Sequence, residues 1–147
     1  MKRFVKLFAG LLSMAAVLST VSCEKEVSDT NLVGKWQSTS IVEQTYEGDK
    51  LIGEYSESCI EWYIGFNFKD DGTCQFMEVE GNDSDVISYE WVLMGNKLIL
   101  SSKEESESIS FEVVAITSSS MTLKMVEEYT SDGVKKKSVS TCYFSKI

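Results

Sequence analysis

From residue 35 onward the chain alternates apolar and polar positions with a period of two, the signature of half-buried strands. The clearest case is Ile60 to Phe68, where Ile60, Trp62, Ile64, Phe66 and Phe68 fall on one face and Glu61 and Asn67 on the other. Lys35 to Tyr46 reads as a long first strand, and Gly48-Asp49 turns it into Leu51 to Ser56. Further on, Val86 to Leu93 places Ile87, Tyr89, Trp91 and Leu93 on one face. Gly95-Asn96 opens a hairpin into Leu98-Ile99-Leu100, and the polar stretch Ser101 to Ser108 reads as a loop. Ile109, Phe111, Val113 and Ala115 share the next face, and Ser118-Ser119-Ser120 leads into Met121, Leu123 and Met125. Asp132-Gly133 is the last hairpin signal before Val134 to Phe144.

One turn fixes a register. Asp70-Asp71-Gly72 fits a three-residue hairpin loop with Gly72 in the left-handed conformation. Lys69 then lies opposite Thr73, which sets Phe68 against Cys74 and Phe66 against Phe76 on a common face. Eight or nine short strands without a long helical pattern predict an all-β fold. A single antiparallel up-and-down β-barrel is the arrangement that removes the open edges of such a sheet.

The first 23 residues do not fit this pattern. A basic start, Lys2-Arg3, precedes an apolar stretch from Leu7 to Val21, and Ser22-Cys23 is followed by the charged run Glu24-Lys25-Glu26. That layout predicts a signal peptide over residues 1–22, with Cys23 as the acylated first residue of a bacterial lipoprotein. A soluble exported protein and an uncleaved anchor helix are the alternatives. Residues 23–31 form a polar tether and residues 32–147 the domain. The protein is therefore expected in the cell envelope, as an outer-membrane lipoprotein on the periplasmic face or the cell surface, with its acyl chains in the bilayer.

Composition narrows the chemistry. Loss of the leader leaves 11 basic against 23 acidic residues, a net charge of −12. Such a surface repels phosphate backbones, so no nucleic-acid partner is expected. The sequence has no His, and its one Arg lies in the leader. Ser-His and Cys-His catalysis and His-metal sites are thereby excluded, and no enzymatic activity, cofactor or metal is expected. Asn82-Asp83-Ser84-Asp85 clusters oxygen atoms but lacks the glycine and distal glutamate of a calcium loop, and reads as a solvated turn.

Three stretches carry a family resemblance. Asn31-Leu32-Val33-Gly34-Lys35-Trp36 resembles the Gly-x-Trp opening of lipocalins. Phe68-Lys69-Asp70-Asp71-Gly72-Thr73 and Tyr89-Glu90-Trp91, continued by Gly95-Asn96-Lys97-Leu98-Ile99-Leu100, are similar to small lipocalin-like lipoproteins of Bacteroidetes-type bacteria. The likeness covers Leu32 to Phe144. It implies a lipocalin-like barrel closed at one end by Gly34 and Trp36, with a cup for a small hydrophobic ligand. Lipocalins pack a late Arg over that tryptophan; here Lys124 or Lys146 must take its place. The sequence ends at Ile147, directly after the last expected strand, so the family's C-terminal helix is not expected.

The ligand-binding residues implied are Trp62, Phe66, Phe68, Phe76, Tyr89, Trp91, Phe111, Leu123 and Met125, with Tyr55, Tyr63 and Ser88 as polar groups at the mouth. An eight-stranded barrel is just wide enough to be filled by side chains or to hold one small ligand. Two readings thus stay open: a carrier of a small hydrophobic molecule, or a filled barrel acting as a structural or interaction module for a protein partner of unknown kind. Among Cys59, Cys74 and Cys142, a disulfide from Cys59 to Cys142 would tie an early strand to the last; three unpaired buried thiols are the alternative.

Overall fold

A computed structural model describes residues 29–102 and 108–147. The expected signal peptide and the expected lipidation site at Cys23 lie outside the described residues. A short helical turn, α1 (Asp29–Leu32), precedes β1 (Gly34–Glu47), β2 (Lys50–Ser58), β3 (Trp62–Phe68), β4 (Thr73–Glu80) and β5 (Asp83–Met94). The rest comprises β6 (Lys97–Ser101), β7 (Ser108–Ile116), β8 (Ser120–Ser131) and β9 (Val134–Lys146).

All pairings are antiparallel, and from β3 to β9 each strand pairs with the next in sequence. The sheet closes where β1 pairs with β9, from Trp36 opposite Lys146 to Glu47 opposite Lys136. The other edge of β1 is shared. Its first residues, Gly34 to Gln37, pair with β3, and Ser40 to Glu47 pair with β2. Eight strands, β1 and β3 to β9, therefore make the closed barrel, and β2 prolongs its wall beside the far half of β1.

The predicted register holds: Phe68 faces Cys74 and Phe66 faces Phe76. Gly72 has φ of 83°, as the three-residue loop requires, and Lys69 N–H donates to the Thr73 carbonyl at 2.9 Å. At Asp132-Gly133 both residues have positive φ, 54° and 77°, the type I′ geometry that matches strand twist.

Three local expectations are corrected. Ile60 does not join the apolar face of β3. It is 87% exposed in a break over residues 59–61, where the chain leaves the β2 pairing and enters that of β3. Ala115 does not share the face of Val113. A bulge at Val114 inserts one residue, so Ala115 pairs with Thr122 and Ile116 turns inward opposite buried Met121. The solvated turn expected at Asn82-Asp83-Ser84-Asp85 is shorter: β5 already begins at Asp83, and Asp83, Ser84 and Asp85 pair with Glu80, Val79 and Glu78 of β4.

A second bulge sets the inner face of β1. Ser38 pairs with Phe144 and Ser40 with Tyr143, leaving Thr39 over. Trp36 and Ser38 point inward before it, and Ile41 and Glu43 after it. The gap is bridged from both sides: Thr39 accepts the Cys59 N–H on its carbonyl at 2.9 Å, and the Ser38 hydroxyl accepts the Ile64 N–H at 3.0 Å.

Candidate functional site

The barrel interior changes character along its axis. At the end formed by α1, Trp36 is fully buried and its Nε1 donates to the Leu32 carbonyl at 2.7 Å. Lys146 Nζ stands 4.9 Å from the centre of the Trp36 ring and donates to the Asn31 carbonyl at 3.1 Å. Of the two lysines considered from sequence, Lys146 is thus the cation on the tryptophan. Lys124 instead pairs with Glu112 at 3.0 Å, both side chains partly exposed. Gly34 permits this closure, since a Cβ there would lie 2.5 Å from Lys146 Cε.

Above the tryptophan the rings fill the barrel. Phe66 lies 5.2 Å from Phe68, 5.4 Å from Phe76, 5.5 Å from Phe144 and 6.0 Å from Phe111, centre to centre. Leu98, Leu100 and Leu123 pack around them, at most 1% exposed. Such offset and edge-on contacts add to the gain from burying the rings. This base is a packed core.

Register and alternation turn all nine residues drawn from the sequence inward. They do not form one site. Phe66, Phe68, Phe111 and Leu123 belong to the packed base. Trp91 stacks edge-on against Phe68 at 5.9 Å and donates Nε1 to the Lys69 carbonyl, in the hairpin loop at the closed end. Trp62, Phe76, Tyr89 and Met125 stand nearer the mouth. Of the polar residues expected there, only Tyr55 lies on the inner face; Tyr63 pairs with Val79 and Ser88 with Gln75 on the outer face.

Carboxylates line the mouth half, and the sequence reading missed them. Glu43 and Ser140 face one another one step above Ile41 and Cys142, and Thr45 and Ser138 lie one step further. Glu127 follows Met125 on β8, and Glu78 follows Phe76 on β4. Glu78 is only 8% exposed. Glu57 accepts from Trp62 Nε1 at 2.9 Å and from the Tyr55 hydroxyl at 2.8 Å. Burial raises the Glu43 carboxyl above its usual range, and the charge of Glu57 adds to the shift. Burial likewise raises Glu127, with Glu43 as the second cause. Glu127 Oε1 is sealed from solvent and has no hydrogen-bond partner.

The three thiols are all buried and free, so the expected bridge between Cys59 and Cys142 is not formed. They flank β1 on opposite edges, Cys59 beyond the end of β2 and Cys142 opposite Ile41, with a full strand between them. Burial pushes Cys74 and Cys142 up to about 12. Among the described residues no group of Cys, Asp and Glu is placed to hold a metal ion. An open groove of about 420 Å³ lies at the tips of the β1–β2 and β8–β9 hairpins, lined by Asp49, Glu128, Tyr129 and Lys135 to Lys137 among others. It shares no residue with the barrel interior described above.

A closed antiparallel barrel with a tryptophan plug and an inward-facing mouth defines a lipocalin-type architecture. The chain belongs to the lipocalin-like domain family, whose profile matches residues 32–123. No curated protein matches it. Among solved structures it is similar to bovine odorant binding protein in complex with a selenium-containing odorant (18% identity, 87% of this chain and 78% of that one, TM-score 0.43). It is also similar to the bovine lipocalin allergen Bos d 2 (10% identity, 79% and 75%, TM-score 0.40).

Proposed function

We propose that this protein is a membrane-tethered carrier, an exported lipoprotein of the Bacteroidetes type that holds a small hydrophobic molecule in the mouth half of its barrel. The observation that carries the reading is the change of lining along the axis. A barrel meant only to be solid would bury apolar side chains along its whole height. Here the cluster of phenylalanines ends at Phe76, and towards the mouth Glu43, Glu78, Glu127 and Ser140 share the inner face with Trp62. Partly buried carboxylates destabilise a dry core, whereas they are tolerated where solvent or a ligand enters. Binding rather than catalysis is the role this lining supports.

The packed base around Phe66 favours the second reading, a filled barrel that displays its acidic surface to another macromolecule. One experiment separates the two. The chain from Glu24 onward is purified, extracted with organic solvent and weighed by mass spectrometry, then titrated with a neutral fluorescent probe. Enrichment of one lipid class and saturable binding support the carrier; an empty extract and no binding support the display module. The tether is tested by labelling cells with a radioactive fatty acid. The protein should take up label, and Cys23→Ala should abolish it and release the protein from membranes.

A further inference from the structure

We draw no further inference here: the strongest candidate, the open groove at the tips of the β1–β2 and β8–β9 hairpins with Lys135, Lys136 and Lys137 on its wall, carries Asp49 and Glu128 as counter-charges of its own, and nothing in the structure shows what covers it.

Discussion

Lys146 holds its ammonium 4.9 Å above the Trp36 ring and gives a hydrogen bond to the Asn31 carbonyl, so the last strand clamps the first turn of the domain. Both contacts disappear in Lys146→Ala. The loss of one partly buried cation–π contact and one charged hydrogen bond is about 1–3 kcal/mol. Urea denaturation should show that decrease, and Lys146→Arg should restore most of it. No measurable difference between wild type and Lys146→Ala would remove the clamp from the account.

Gly34 is bound to the same contact. Its φ of +131° is one that L side chains rarely adopt, and an added Cβ would meet Lys146 Cε. Gly34→Ala is expected to cost about 1–3 kcal/mol. Combined with Lys146→Ala, the clash is removed but the backbone strain stays. A double-mutant cycle should therefore return part of the loss and never all of it.

Phe66 touches four other phenylalanines and is 1% exposed. Phe66→Ala should destabilise the barrel by about 3–5 kcal/mol, the cost of a large cavity among rings that cannot collapse onto it. The same truncation at Ile60, 87% exposed, should change stability by less than about 0.5 kcal/mol. Equal effects at the two positions would contradict the packing described.

Glu43 and Glu127 also set a pH dependence. Their folded-state pKa values are raised, so the folded protein holds their protons more tightly than the unfolded chain does. Stability from these groups is greatest below the unfolded value near 4.5 and falls as pH rises through the raised values. Thermal unfolding midpoints should decline from about pH 5 towards pH 7.5, and Glu127→Gln should flatten the slope and stabilise the neutral-pH protein by about 0.5–1 kcal/mol. A variant with an unchanged slope would show that Glu127 is solvated after all.

Cys74 and Cys142 are 1% and 8% exposed with thiols held near 12. Thiolate is the reactive form, so neither should react with an aromatic disulfide reagent in the native protein at pH 8. Reaction should appear only in denaturant, and its rate at low denaturant should track global unfolding. Rapid native labelling at Cys142 would mean that the β8–β9 wall opens locally.

Much of this architecture was legible in the alternation of residues. Asp70-Asp71-Gly72 fixed the pairing of Phe66 with Phe76 because loop length and side-chain direction are coupled in a hairpin. The error at Ala115 came where one extra residue intervened, and that at Ile60 where the chain passes from the pairing of β2 to that of β3. The bulge at Val114 shifts the phase of β7, and a strict period of two cannot register it. The carboxylates of the mouth were visible in principle: Glu43 follows Ile41, Glu78 follows Phe76 and Glu127 follows Met125, each two residues on. They were passed over because charged positions are read as outward by default, and only closure of the barrel shows that the inner face keeps going past the rings.

The seam between β1 and β9 has a kinetic consequence. The first strand finds its final neighbour only after roughly a hundred intervening residues have been ordered, since Trp36 pairs with Lys146 and Glu47 with Lys136. Local hairpins gain their ladder early, whereas this long-range zipper must wait, which places such topologies in the millisecond-to-second range of folding times. Until it shuts, both margins of a nine-stranded ribbon stand bare.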